Sequence, residues 1–590
     1  VFGVEIPVRA HRLAQPDKGT GIAMNCTFGD VTDVVWWRDL DLPNRSVIGF
    51  DGRFASEAPE AITSEAGRAA YEQMAGKTVF SARQAIVELL RSTGELLAEP
   101  QQITHPVKFY EKGDRPLEIV STRQWYITNG GRDEELRRRL LDLGRTIDFV
   151  PSYMRVRFEN WVEGLSGDWL VSRQRFFGVP IPVWYPLDED GNPRFDDVLV
   201  PEESALPVDP SSEPPVGYDE SQRGKPGGFQ GELDVLDTWA TSSLTPQLAG
   251  GWERDEDLWS TVYPYDLRPQ GQDIIRTWLF STALRALLEN GDAPWAHAAI
   301  SGFIVDPDRK KMSKSKGNVV TPAAVLEQHG SDAVRYWATS SRLGTDAAFD
   351  PQNPTQIRKG RRLAIKILNA AKFILGFPEG EAGSTGRDAV THPLDWSMLA
   401  TLDQVVATAT EALDEYDHAR ALETVETFFW TFCDDYLELV KERAYGAGET
   451  EDNGQASAIA ALREALETLL RLFAPFVPFA TEEAWSWFRG GSVHVAAWPT
   501  PGQLIESATS ELLTLTGEAL TGIRGAKTDA KASQKTQVAS AVIAGPDGKV
   551  ELLQLAEGDL RAVGRIDDLS FEHGPEVRVT SIVLAPNDEL

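Results

Sequence analysis

The spacing of apolar residues changes along this chain, and each change marks a region. From residue 1 to about 99, short apolar runs alternate with turn signals, as in Ile48-Gly49-Phe50-Asp51-Gly52-Arg53-Phe54. A helical pattern follows at Ala85-Ile86-Val87-Glu88-Leu89-Leu90, so a small α+β unit is expected. Residues 100–230 are turn-rich. Gln124-Trp125-Tyr126-Ile127 reads as a strand, Glu134 to Leu143 as a helix, and Trp169 to Pro180 as a strand entering a loop. Residues 201–230, dense in Pro, Ser, Gly and Glu, read as a linker-like insertion. Between 231 and 355 lie a glycine turn opening a helix, Arg268 to Trp278, and a strand, Ala298 to Val305. After residue 356 the period becomes helical: Val425, Phe428, Phe432, Tyr436 and Leu439 recur at three and four residues, and Leu466 to Phe473 repeats this before Pro475 stops it. A helical bundle is expected over 356–500. Residues 501–590 begin with a helix around Ala519 to Lys527 and continue as strand-like runs such as Val538 to Ile543, a small α+β region. No heptads are sustained there, so no coiled-coil arm is expected.

Composition narrows the class. A chain of 590 residues, 42% hydrophobic, can bury several cores, and at about 100–200 residues per domain it holds several domains of mixed α/β type. No apolar run reaches the roughly 18 residues of a membrane span, and Val1-Phe2-Gly3-Val4-Glu5 has no signal-peptide character. Two cysteines, Cys26 and Cys433, exclude a disulfide framework and point to a reducing cytoplasm. The net charge of −31 argues against nucleic-acid binding only if charge is evenly spread. Basic clusters occur at Arg137-Arg138-Arg139, at Arg358-Lys359 with Arg361-Arg362, and at Arg524 with Lys527, Lys531 and Lys535. Each could equally be a solvated helix face.

The densest chemistry is Lys311-Met312-Ser313-Lys314-Ser315-Lys316-Gly317-Asn318. Three lysines and two hydroxyls in six residues, ahead of a Gly-Asn turn, can close on a polyphosphate and neutralise charge as pyrophosphate leaves. A solvated lysine-rich turn is the plain alternative. In Arg268-Pro269-Gln270-Gly271-Gln272-Asp273-Ile274-Ile275-Arg276-Thr277-Trp278, the glycine admits a nucleotide close to the backbone and the aspartate can accept from ribose hydroxyls. Leu236-Asp237-Thr238-Trp239-Ala240-Thr241-Ser242-Ser243 sets a tryptophan beside small residues, a wall for a small aliphatic side chain or simply a piece of core. Gly19 to Met24 reads as a strand delivering Asp30 and Asp33 to its mouth, where they could hold an ammonium group; alternatively Asp30 caps a helix through Trp36 and Trp37. Ala75-Gly76-Lys77-Thr78 is no phosphate loop, because Tyr71 stands where its first glycine would be.

With these strings assembled, the chain resembles the class I aminoacyl-tRNA synthetases of the valine, isoleucine and leucine group nearly end to end. VLDTWATSS, RPQGQDIIRTW, RKKMSKSKGNVVTP, CDDYLELVKERAY and APFVPFATEEAW fall in that family's order, and LDTW and GQDIIRTW look like its valine-specific wording. The resemblance implies a partial editing domain (1–99), a connecting and stem region (100–230), the second half of a Rossmann catalytic core (231–355), a helical anticodon-binding domain (356–500) and a small C-terminal domain (501–590). It implies that Lys311 and Lys314 are catalytic; that Gly271, Gln272, Asp273, Lys311, Ser313, Lys314 and Ser315 bind ATP; and that Trp239, Ile274 and Trp278 line the amino-acid pocket. Asp33 would fix the α-amino group in editing. The implied partners are valine, ATP with Mg²⁺ and tRNA(Val), for a monomer with no membrane.

The departures also matter. No His-x-Gly-His signature occurs, so the first half of the core and the threonine-rich part of the editing site are expected upstream of Val1, with residues 1–590 inactive alone. Phe109 and Lys112 stand where some relatives carry a CxxC knuckle, so no metal site and no structural zinc is expected. Gln272 stands where His is common. Two other readings compete: an isoleucine-specific enzyme, and a tRNA-binding or editing factor without ligase activity.

Overall fold

A computed structural model describes residues 1–25, 31–102, 104, 109, 117–312, 319, 321–377, 386–446, 454–505 and 508–585. The chain divides into two compact units, Val1–Trp125 and Tyr126–Leu590.

In the first unit the glycine-rich turn at 49–52 folds Ile48 back onto Phe54, with Gly49 N–H donating to Arg53 C=O at 2.8 Å. Three helices follow the pattern: Val31–Asp39, Glu65–Glu72 and Val79–Thr93. Thr78 caps the last through Ser81 N–H, and Gly94 ends it at φ 75°, a left-handed conformation suited to glycine. The run Gly19 to Met24 does not form the expected strand. Gly19 and Gly21 take φ 61° and 75°, which breaks an extended run, and Ile22 and Met24 are left exposed.

The second unit contains a three-stranded parallel sheet with Trp295–Ser301 in the centre, flanked by Asp148–Val150 and Tyr265–Gly271. Phe149, Ala298 and Ile300 pack with apolar residues of helices Glu134–Thr146, Arg155–Glu163 and Phe280–Glu289 in one core. Gly144 permits a close helix crossing, since a Cβ there would lie 2.5 Å from the Phe158 ring. The stretch 201–230 is no free linker. It is held against the antiparallel pair Trp184–Pro186 and Phe229–Gly231, with Trp184 Nε1 donating to Glu213 C=O at 2.7 Å and Arg223 Nη1 to Pro210 C=O at 2.8 Å. Its composition hid this because the restraints are hydrogen bonds to backbone rather than apolar periodicity.

Beyond residue 355, helices Thr355–Leu375, Pro393–Asp414, His418–Thr431, Leu437–Ala444, Gly454–Phe473 and Pro478–Ser486 form a bundle. Val425, Phe428, Phe432, Tyr436 and Leu439 all lie in its core, as their spacing requires. That core continues into the last region, where Val538–Gly545 pairs in parallel with Ile566–His573 and antiparallel with Arg578–Leu584, beneath helix Glu511–Asp529. Among the described residues no helix is long and apolar enough to cross a membrane.

Candidate active site

The candidate site lies at the carboxyl ends of the parallel strands, the place where open α/β sheets bind ligands. Strand Tyr265–Gly271 ends level with its neighbour, Gly271 opposite Ser301. The chain then makes a 3₁₀ turn, Gln272–Ile274, and a π-helical turn, Ile275–Leu279, before helix Phe280–Glu289. Asp273 is exposed on the first turn. Its Oδ1 would lie 2.8 Å from a Cβ placed on Gly271, so a side chain at 271 would make this exposed carboxylate shift. The sequence suggested a simple helix start; the π turn, a local widening common at functional sites, had no signal in it.

From Ser301 the central strand runs on through Gly302-Phe303, and Ile304–Val305 pairs in parallel with Ala347–Ala348. A turn at Asp306 to Lys310, with Arg309 at φ 60° and Asp306 Oδ1 accepting from Lys310 N–H at 2.8 Å, brings Lys311 back opposite Val305. The Lys311 ammonium thereby stands 3.6 Å from Asp273 Oδ2 and 4.3 Å from the centre of the Phe303 ring. Both partners are about half exposed, so solvent screens the pair, and its worth is at most about 1 kcal/mol. What matters is position: two segments about forty residues apart in sequence deliver a carboxylate and an ammonium to one place. Ser313, Lys314 and Ser315 lie outside the described residues.

The short helix that carries Trp239 is tied to the helix that carries Trp278. Trp239 sits in the short helix Thr238–Ser242, capped by Asp237, whose carboxylate accepts from Trp239 N–H at 3.2 Å and from Arg173 Nη2 at 2.6 Å. Trp278 Nε1 donates to Ser242 C=O at 3.1 Å, and Ser281 Oγ donates to Trp239 C=O at 3.3 Å. Ile274, half-buried, ends the 3₁₀ turn just before the π-helical turn that holds Trp278. Under Trp278 lies a residue the sequence did not single out, Arg268, whose guanidinium carbon is 3.2 Å from the indole centre. Its Nε and Nη2 are buried with no hydrogen-bond partner among the described residues, and burial pulls its pKa down to about 10.

Gln272 is buried, and its Nε2 donates to Asp346 Oδ1 at 3.1 Å. Asp346 was also missed, because no motif marks it. Asp33 occupies the first turn of helix Val31–Asp39 in the other unit, half-buried, its carbonyl accepting from Asn25 Nδ2 at 3.0 Å; Asp30 lies outside the described residues. So does Lys112. No group of three or more His, Cys, Asp or Glu suited to a metal ion gathers among the described residues.

The basic clusters separate. Arg137 donates to the carbonyls of Gly130, Gly131 and Leu165, and Arg138 pairs with Glu135 and Asp142. Lys527 is withdrawn from any ligand. It is buried, and its ammonium donates to the carbonyls of Gln534, Thr536 and Gly564 at 3.1, 2.9 and 2.8 Å.

The family described as tRNA synthetases class I (I, L, M and V) matches residues 51–350, and the anticodon-binding domain of tRNA ligase matches residues 395–543. With these matches and a relative 69% identical over the whole chain, the chain belongs to the class I tRNA synthetases. Its resemblance within that family is to valine–tRNA ligases. The valine–tRNA ligase of Leifsonia xyli subsp. xyli (strain CTCB07) is 69% identical over 100% of this chain and 68% of its own length. That of Thermobifida fusca (strain YX) is 60% identical over 100% of this chain and 66% of its own. The chain thus spans about two thirds of the length of the curated relatives it matches. Among solved structures, a leucyl enzyme from Agrobacterium radiobacter K84 in complex with tRNA aligns at 18% identity with a TM-score of 0.45, covering 72% of this chain and 46% of that one.

Proposed function

We propose that this chain carries the second half of the active site of a valine–tRNA ligase. The observation that supports this reading best is the meeting of Asp273, just past the end of strand Tyr265–Gly271, with Lys311, on the return that follows Val305. In the reaction a carboxylate oxygen of valine attacks the α-phosphorus of ATP. A P–O bond forms, the α–β bridge breaks, and pyrophosphate leaves with its Mg²⁺. A ribose hydroxyl at the tRNA 3′ end then attacks the carbonyl carbon, AMP departs, and the hydroxyl proton goes to solvent. No covalent enzyme intermediate is needed, so the protein acts by positioning and by stabilising charge.

In this reading Gly271 admits the nucleotide to the strand end and Asp273 accepts from the ribose hydroxyls. Lys311 and Lys314, with the hydroxyls of Ser313 and Ser315, meet the phosphates, and Trp239, Ile274 and Trp278 bound the valine side chain. ATP must displace Lys311 from Asp273, which frees the ammonium for the phosphates at little cost because the pair is screened. Residues of the first unit belong to an editing domain, with Asp33 holding the α-amino group of a mischarged substrate. Editing is required because an apolar pocket rejects an added hydroxyl poorly, a rule for which valine selection against threonine is itself the standard illustration.

Lys314→Ala in the full-length protein tests the reaction. Single-turnover adenylate formation should fall about 10²- to 10³-fold with valine affinity nearly intact. A rate close to wild type would overturn the assignment. For editing, Asp33→Ala should let threonyl-tRNA accumulate under conditions where the parent enzyme clears it, and undiminished clearance would remove Asp33 from the site.

A further inference from the structure

We propose that Asp346 is a positioning residue for nucleotide handling: it ties the two strand ends of the site together and so seats Lys311. This rests on the reading of Gly271, Asp273 and Lys311 as the nucleotide site.

One oxygen, Asp346 Oδ1, accepts from Gln272 Nε2 at 3.1 Å and from Phe303 N–H at 2.8 Å. Gln272 is the first residue beyond strand Tyr265–Gly271, and Phe303 the second beyond strand Trp295–Ser301. The parallel ladder between those strands stops at Gly271 and Ser301. Asp346 therefore takes over as the link where the ladder ends. A carboxylate suits this place, because it accepts charge-assisted bonds from two donors without needing one of its own.

The segment that carries Asp346 is fixed. Gly344 N–H donates to Ile300 C=O at 2.7 Å, Ala347 N–H to Phe303 C=O at 2.8 Å, Phe349 N–H to Val305 C=O at 2.9 Å, and Tyr153 OH to Gly344 C=O at 3.0 Å. Gly302 lets this segment lie flat on the strand, since a Cβ there would stand 2.1 Å from Thr345 O. Asp346 thus joins two segments that lie about thirty residues apart in sequence, at Gln272 and Phe303. Its two partners are also the residues that locate Lys311. Phe303 supplies the ring beneath the ammonium, and Gln272 adjoins Asp273, the carboxylate beside it. The contact further accounts for an amide at position 272, where a side-chain N–H must reach Asp346 from a buried position.

The test is ATP–pyrophosphate exchange by the full-length protein. Asp346→Ala should raise KM for ATP and lower kcat, together about 10- to 100-fold, with KM for valine within about twofold of the parent. Asp346→Asn keeps an oxygen that accepts both bonds and should restore most of the loss. Asp346→Ala added to Lys311→Ala should cost little beyond Lys311→Ala alone, because both act through the same ammonium. If Asp346→Ala does not fold, Gln272→Met, which keeps the volume and removes the amide, should give the same split between ATP and valine. Parent-like ATP kinetics in these variants, or full additivity with Lys311→Ala, would overturn the proposal. Asp273→Ala separates it from the reading beneath: if Asp273→Ala and Lys311→Ala both leave ATP use unchanged, the nucleotide site itself is wrong. If they cripple ATP use and Asp346→Ala does not, only the positioning role falls.

Discussion

Arg443, on helix Leu437–Ala444, donates to Asp395 at 2.8 and 2.9 Å and to Asp559 at 2.9 and 3.0 Å. The two carboxylates are buried, one in the bundle and one on helix Glu557–Gly564, so the guanidinium joins the bundle to the C-terminal region. Tyr436 OH and Ser457 Oγ also donate to Asp395, at 2.7 and 2.6 Å. Removing the cation would strand two buried anions, so Arg443→Met should cost about 3–5 kcal/mol, read as a lower denaturation midpoint. The same cluster sets an acid limit. Burial, reinforced by Arg443, holds the His392 imidazole below its ordinary pKa. The unfolded chain therefore takes that proton first, and the stability His392 contributes is whole above about pH 6.5 and is lost as pH falls through its folded value. Burial alone would raise the Asp395 pKa, but the charge of Arg443 and its hydrogen bonds bring it below the usual range. Its contribution, present above about pH 4, is lost on further acidification. His392→Gln should accordingly flatten the loss of thermal stability between about pH 7 and 5 and leave the steeper loss below pH 4 in place. An unchanged profile would remove His392 from the account. Little of this was legible in sequence. The string CDDYLELVKERAY drew notice as a motif, yet Asp395 and Asp559 lie 48 and 116 residues from Arg443, and nothing in the spacing joins them. Lys527 fails the same way, since a lysine among lysines gives no sign that three carbonyls hold it inside.

Helices were read far better than strands, for a physical reason. The helix Thr355–Leu375 buries Ile357, Leu363, Ala364, Ile367, Ala370, Ala371 and Ile374 on one face, a stripe that sequence spacing displays directly. Strand Asp148–Val150, by contrast, is three residues long and takes its register from Trp295–Ser301, more than a hundred residues away. Gly271 and Asp273 stood out in sequence as a glycine turn followed by an acid; the π turn and Asp346 did not, because what they do is set by neighbours. On helix Thr355–Leu375, Arg358, Lys359, Arg361 and Arg362 are exposed and make no ion pair with a carboxylate among the described residues, and Arg362 lies 5.1 Å from the centre of the Trp430 ring. Lys366, lower on the helix, is already engaged by Asp434 at 3.1 Å. If the four exposed cations face the tRNA backbone, replacing Arg358 and Arg362 by Glu should raise KM for tRNA. The salt slope should fall by about 0.7–0.9 for each phosphate no longer neutralised, with valine activation unchanged. Parent-like tRNA affinity and salt slope would make this a solvated face.

At the scale of the whole molecule, a net charge of −31 does not preclude a local grip on a polyanion, because salt screening makes charge interactions short-ranged. At physiological salt the Debye length is about 8 Å, so a local cationic face acts while distant carboxylates do not. Family membership was legible because motifs in fixed order survive where contacts cannot be read, and the matches over residues 51–350 and 395–543 agree with it. The relative placement of motifs in space needed the structure, which brings Asp273 and Lys311 together and ties Trp278 to the helix that carries Trp239. The central claim is that the site around Asp273 and Lys311 activates valine. Valine- and isoleucine-dependent ATP–pyrophosphate exchange by the full-length protein tests it most directly. Because one excess methylene in a close-fitting pocket is worth about 1–3 kcal/mol, kcat/KM for valine should exceed that for isoleucine by about 10- to 200-fold. Equal or faster exchange with isoleucine, or no exchange with either amino acid, would contradict it.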